Sequence, residues 1–382
     1  MLRTKTWLIA LTATALMAGS AHAQLKVGIT MSASGPGAAL GQPQSKTVSI
    51  LPKEIAGQKV TYIALDDESD PTKAAQNARK MISEEKVDVL VGSSLTPVSL
   101  PLIDIAAEAK TPLLTLAAAA VLVQPMDDKK KWVFKVVPND DIMAKAILKH
   151  IAKTGVKKLG YIGFSDGYGE GYYNELKAEA PKVGIELTTH EVYARSDASV
   201  TGQVLKILAT KPDAVFIASA GTPAVLPQKA LRERGYKGPI YQTHGVATNE
   251  FIKLGGKDVE GAVYTGEAFT IVNDLPKDSP FRAAPEKFIA AYKAQYKEEP
   301  AAFAAHLWDS MVLVENAMPA ALKAGKPGTP EFRAALRDAL ENGKEIYLNN
   351  GLSNMSPTNH NGYDERSAFL IKVEGGKFRL AK

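Results

Sequence analysis

The chain has 382 residues, 45% of them hydrophobic and 23% charged, with a formal net charge of +5 and no cysteine. The cysteine count excludes disulfides, a thiolate metal site, a cysteine nucleophile and a lipid-bearing cysteine behind the N-terminal segment. Lysines are scattered, with Lys129-Lys130-Lys131 the one basic run, so the clustered cations and stacking aromatics of a nucleic-acid binder are missing.

Met1 to Ala23 combines a basic start (Arg3, Lys5), an apolar run from Trp7 to Ala18 and the small-residue site Ala21-His22-Ala23. That run is shorter than the roughly 20 residues a bilayer span needs. It fits the core of a cleavable secretion signal. Cleavage near Ala23/Gln24 would leave about 360 residues, enough for two ordinary domains, free of the membrane in a periplasm.

Strand-like runs then alternate with helix-like segments. Lys26–Thr30, Val60–Leu65, Val87–Val91, Leu113–Leu116 and Trp132–Val137 read as strands, with helices over Gln44–Ile55, Thr72–Glu84 and Val98–Ala109. A second series follows, with strands Lys158–Phe164, Glu186–Tyr193, Ala214–Ala218, Ile240–Thr243 and Ala262–Gly266. Its helices are Met143–Thr154, Gly171–Val183, Ser199–Thr210 and Pro223–Arg234. Such alternation predicts parallel sheets covered by helices. Two series of similar spacing predict an α/β fold of two Rossmann-like lobes. Phe281–Tyr296, Ala302–Ala324 and Thr329–Asn342 read as late helices, and Ser367–Val373 with Lys377–Leu380 as a closing hairpin. The simplest connection takes the late helices back to lobe one and the last strands to lobe two, through a multi-crossover hinge. The expected division is 24–140 plus 272–350 for lobe one and 141–271 plus 351–382 for lobe two. Ligands in such sheets bind at the carboxyl ends of the strands.

Enzyme signatures are thin. Gly163-Phe164-Ser165-Asp166-Gly167 matches a nucleophile elbow, but nothing ties Ser165 to His244, His306 or His360; a turn capping the next helix accounts for it. Gly167-Tyr168-Gly169-Glu170-Gly171 lacks dinucleotide spacing. The histidines show no metal-ligand spacing, and Asp66-Asp67-Glu68-Ser69-Asp70 lacks calcium-loop spacing and reads as a capped, solvated turn. No cofactor is expected. Three small, hydroxyl-bearing loops at strand ends remain: Ser34-Gly35-Pro36-Gly37, Gly92-Ser93-Ser94-Leu95-Thr96-Pro97 and Leu116-Ala117-Ala118-Ala119. Each leads toward a helix, and together they suit a carboxylate.

With these landmarks, Tyr168-Gly169-Glu170-Gly171 and Gly245-Val246-Ala247, the mature chain resembles the periplasmic solute-binding proteins of the branched-chain amino-acid receptor family, which serve ABC importers. The resemblance implies a two-lobed type I fold and a membrane permease partner. It implies carboxylate contacts from Ser34, Gly35 and Gly37, from Ser94 or Thr96, and from the backbone of Ala117 and Ala119. From lobe two it implies Tyr168 closing over the ligand, with Gly221 and His244 beside it. His244 stands where the amino-acid binders carry an acid for the ligand ammonium. A buried ammonium without a counter-charge is costly, which disfavours an amino acid unless Glu267 or Asp166 takes over. The stretches Leu275-Pro276-Lys277-Asp278-Ser279-Pro280 and Asn354-Met355-Ser356-Pro357-Thr358-Asn359-His360-Asn361-Gly362 resemble an aromatic-acid-binding branch. A benzoate-like or hydroxycinnamate-like acid is therefore the expected ligand, with an amino-acid receptor or, from another class, a secreted serine hydrolase as alternatives.

Overall fold

The structure is a computed structural model that describes residues 24–381; the expected signal, Met1–Ala23, lies outside them. The first sheet is built from β1 (Leu25–Met31), β2 (Glu54–Ile55), β3 (Gln58–Asp66), β4 (Val89–Val91), β5 (Leu113–Thr115) and β6 (Val133–Lys135), in the order β2-β3-β1-β4-β5-β6. All its pairings are parallel except β2 with β3. Strands β1, β4, β5 and β6 are short, mostly apolar runs buried on both faces, as helix-covered parallel strands must be. Helices α1 (Ala38–Thr47), α2 (Pro71–Ser83) and α3 (Thr96–Glu108) connect them. Asp70 caps α2 by accepting from Lys73 N at 2.8 Å, ahead of proline at the first helical position.

The second lobe holds β7 (Lys158–Phe164), β8 (Glu186–Leu187), β9 (Glu191–Tyr193), β10 (Ala214–Ala218), β11 (Ile240–Gln242) and β12 (Val263–Gly266). Its connecting helices are α4 (Asp140–Lys153), α5 (Gly167–Glu179), α6 (Thr201–Ala209), α7 (Val225–Glu233) and α8 (Asn249–Gly255). The late helices are α9 (Ala283–Tyr296), α10 (Ala302–Ala324) and α11 (Pro330–Glu341); then come the hairpin β13 (Ile346–Leu348) and β14 (Gly351–Ser353), and finally β15 (Phe369–Glu374) and β16 (Lys377–Leu380). The second sheet runs β16-β15-β12-β11-β10-β7, with β8 and β9 following one another along the free edge of β7. β15 joins β12 antiparallel.

Helix α10 packs against α1 and α11 on the first lobe. Phe288 and Tyr292 of α9 instead join Tyr264, Phe269 and Ile371 in a separate apolar group beside the second sheet.

Two local expectations are corrected. The first helix begins at Ala38 rather than Gln44, because the Gly35–Gly37 turn already leads into it, and Ile55 belongs to β2. The expected strand Glu186–Tyr193 is two short strands separated by Thr188–His190.

The lobes are joined by crossing segments that bond to one another. Asn350 Nδ2 and Tyr363 Oη both donate to the Val136 carbonyl, at 2.8 and 2.7 Å. Asn361 Nδ2 donates to Val137 O at 2.6 Å, and Phe269 N donates to Asn349 O at 3.0 Å. Asp309, buried on α10, accepts from the backbone and side-chain amides of both Asn349 and Asn350, at 2.6–3.1 Å.

Candidate functional site

The carboxyl ends of β1, β4 and β5 place three loops at one edge of the first sheet, and Asp67 ties two of them together. Its carboxylate accepts from Thr30, Ser32 and Ser93 hydroxyls at 3.1, 2.7 and 2.6 Å, and from Ser69 N at 3.1 Å. Asp66 accepts from Ala33, Ser34 and Glu68 N–H groups. The solvated turn expected over Asp66–Asp70 is thus corrected at Asp67, which is fully buried and whose pKa burial raises despite those bonds. Lys135, fully buried on β6, fixes the third loop by donating to the Ala118 carbonyl and, at 2.5 Å, to Asn139 Oδ1. Burial lowers its pKa to about 7.

Between the lobes lies a narrow cavity. Leu40, Ser94, Leu95, Thr96, Leu116, Ala117, Ala118 and Phe303 line one side; Tyr168, Arg195, Ala220, His244 and Gly245 line the other. Ser94 and Thr96 differ in what they offer. The Ser94 hydroxyl accepts from Ser32 N at 3.2 Å and donates to Gln44 Oε1 at 2.5 Å, so it is committed to the fold. Thr96 Oγ1 is buried without a protein partner, at the first residue of α3. Pro97 has no N–H, and Val98 N and Ser99 N both donate to Leu95 O, so the hydroxyl and the Thr96 N–H are what this helix start can offer an anion. For a carboxylate held here, Thr96→Val is expected to weaken binding about tenfold or more while leaving the unliganded melting temperature nearly unchanged. Ser94→Ala should lower that melting temperature; calorimetry of both variants with and without ligand checks the pair.

On the second lobe, Tyr168 lines the cavity with its ring while its hydroxyl donates to Thr243 Oγ1 at 2.8 Å. His244 Nδ1 lies 3.1 Å from Tyr172 Oη, and burial lowers the imidazole pKa to about 3, so the ring is neutral at physiological pH. His306 of α10 is likewise buried and neutral, its Nδ1 unpartnered.

The remaining expected contacts lie elsewhere. Ser34 and Gly35 are exposed, and Gly35 lines an outer groove with Pro36, Thr222 and Asn249. Gly37 is buried, its N–H donating to Ser69 Oγ at 3.0 Å. Ala119 lines a separate groove with Leu100 and Val121. Gly221, at φ +64°, abuts α1 where the lobes meet: a Cβ there would come 3.1 Å from Leu40 Cδ1. Of the two acids left open for an ammonium, Asp166 is occupied, accepting from Tyr168 N and pairing with Arg195 Nε at 2.7 Å. Glu267 follows β12, is buried, and has Oε1 without a partner. Sequence reading missed Arg195, Leu40 and Phe303. Arg195 follows a short edge strand with no motif around it, Leu40 lies ahead of the helix expected from Gln44, and Phe303 reads as ordinary helix core.

Ser165 is exposed and its hydroxyl bonds no histidine among the described residues: His244 bonds Tyr172, and His360 bonds Val133 O and Glu341. No cluster of three or more potential metal ligands occurs among the described residues.

The model of the family described as periplasmic binding protein matches residues 24–377. Among curated proteins the chain is 26% identical to the Leu/Ile/Val-binding protein BraC3 of Rhizobium johnstonii, with 99% of each chain covered. It is 24% identical to the Leu/Ile/Val-binding protein homolog 3 of Brucella melitensis, over 88% of this chain and 89% of that one. Among solved structures it is 78% identical to an extracellular ligand-binding receptor from Rhodopseudomonas palustris HaA2, with a TM-score of 0.93 over 94% of this chain and 100% of that one. A solute-binding protein from R. palustris in complex with benzoate is 23% identical, with a TM-score of 0.79 over 94% and 95%, a likeness of fold.

Proposed function

The chain belongs to the periplasmic binding protein family, and on that premise we propose that its cleft closes on a small carboxylate of the branched-chain amino-acid class. Its general role is that of the periplasmic receptor of an ABC importer, holding a small solute between two lobes. It is a binding protein rather than an enzyme. The observation that carries the carboxylate is the unpartnered Thr96 hydroxyl at the start of α3, in a cavity whose apolar wall includes Leu40, Leu95, Leu116, Ala220 and Phe303. Both curated relatives compared above are named for leucine, isoleucine and valine. Of the two acids considered for an ammonium, Glu267 keeps a free oxygen, although it is not among the residues lining the cavity. Closure about the crossing segments would then present the loaded form to the membrane permease.

An aromatic acid is the second reading, favoured by one observation. No carboxylate lines the cavity, whereas Arg195 and the neutral His244 do, so an acid without an α-ammonium leaves no buried charge unpaired. A thermal-shift series with leucine, isoleucine, valine, benzoate and 4-hydroxycinnamate separates the two. Binding stabilises by RT ln(1 + [L]/Kd), about 2.7 kcal/mol at a hundredfold excess over Kd. Shifts with the aliphatic amino acids alone support the first reading. Shifts with the aromatic acids alone replace it by the second, and no shift with any of them removes the carboxylate.

A further inference from the structure

Arg195 is the one ionised side chain lining the cavity, and its placement is not that of a surface arginine. The guanidinium lies 4.0 Å over the Phe164 ring, and Nε donates to Asp166 Oδ2 at 2.7 Å. Asp166 is itself fixed, because its other oxygen accepts from Tyr168 N at 2.8 Å at the start of α5. One face and one edge of the guanidinium are thus held. The terminal nitrogens Nη1 and Nη2 meet no protein acceptor among the described residues, although the side chain is only 13% exposed. Four N–H donors therefore remain on them without a protein acceptor. They form one half of the fork that matches a carboxylate in two parallel bonds.

Thr96 stands across the cleft from this pair. A Cβ on Gly167, the residue next to Asp166, would sit 3.4 Å from Thr96 Cγ2, so the lobes meet here. Thr96 Oγ1 is buried without a partner, the Arg195 fork meets no protein acceptor, and both residues line the same cavity. We propose that Arg195 is the second-lobe half of a carboxylate clamp whose first-lobe half is Thr96. The bound anion then bridges the lobes, so that the closed form is favoured by the carboxylate itself. Opening the cleft separates the two halves and leaves the ligand with one of them. The Asp166–Arg195 pair is neutral as a unit, and the starts of α3 and α5 offset the added negative charge. The clamp rests on the reading of the cleft as a carboxylate site, and applies to an aliphatic or an aromatic acid alike.

The test compares leucine with leucinamide and benzoate with benzamide, by calorimetry on wild type, Arg195→Ala and Arg195→Lys. The acid that binds wild type is expected to lose about 30-fold in affinity in Arg195→Ala, the scale of hydrogen bonds to a charged group. Its carboxamide should change by less than about threefold on the same scale. Arg195→Lys keeps the charge without the fork, and should fall between. If acid and amide weaken equally, or the acid is unaffected, the clamp is overturned while the receptor reading stands. If neither leucine nor benzoate binds wild type, both are overturned. Should Arg195→Ala fail to fold, Arg195→Lys decides: acid binding as tight as in wild type overturns the clamp.

Discussion

Replacing Asp309 by alanine is expected to lower the unfolding free energy by about 4 kcal/mol, the scale of breaking a buried hydrogen-bond network at one partner. Asp309 gathers the backbone and side-chain amides of Asn349 and Asn350 on its two oxygens, and Asn350 passes the connection on to Val136 O. Without the carboxyl, the two backbone N–H groups and the Asn349 amide lose their acceptor in a buried place, where water cannot replace it. Asp309→Asn keeps the shape but turns one oxygen into a donor facing donors, so most of the loss should persist. Urea unfolding checks this, and a loss below about 1 kcal/mol would show that the Asn349–Asn350 crossing holds without Asp309.

Glu267→Gln is expected to flatten the pH dependence of stability and to make the protein more stable than wild type at pH 8. Burial raises the Glu267 pKa to about 8 in the folded protein, from an ordinary carboxyl value of 4.5. Below pH 4.5 the group is protonated in both folded and unfolded chains and costs nothing. Between pH 4.5 and 8 unfolding releases a proton, so wild-type stability falls by up to about 1.4 kcal/mol per pH unit from this residue. Above pH 8 the loss is complete. Asp309 and Asp140, raised by burial to about 7 and about 6, act with the same sign. The informative quantity is therefore the difference between variant and wild type at pH 5, 6, 7 and 8. Parallel curves would mean that Glu267 ionises as easily in the folded protein as in the unfolded chain.

The parts legible in the sequence are those where local pattern and final packing agree. Lys158–Phe164, Ala214–Ala218 and Ala302–Ala324 have the expected bounds, because each is a strongly apolar run closed by turn or helix-breaking residues. The three loops of the first lobe were visible as small, hydroxyl-bearing strand ends. What each loop does was not: Ser94 and Thr96 look equivalent in the chain, and only Gln44 and Ser32, reaching across from other elements, make one of them occupied. Asp67 read as solvent-facing because its acidic neighbours dominate the stretch, while the three hydroxyls that bury it come from β1 and the β4 loop. Arg195 becomes meaningful only when Phe164 and Asp166, about 30 residues earlier, are folded beneath it.

The interleaving of the two lobes has a kinetic consequence. The strands of the first sheet all come from the first 135 residues, yet α10, which packs on α1, begins only at residue 302. The second sheet is completed by β15 and β16, at residues 369–380. During synthesis neither lobe can reach its final packing until most of the chain exists, and the loops to be closed are long. Contacts of such sequence separation fold slowly. A nascent chain of this topology stays extended for longer than one built from two consecutive domains, which is the state a chain must hold to be threaded across a membrane.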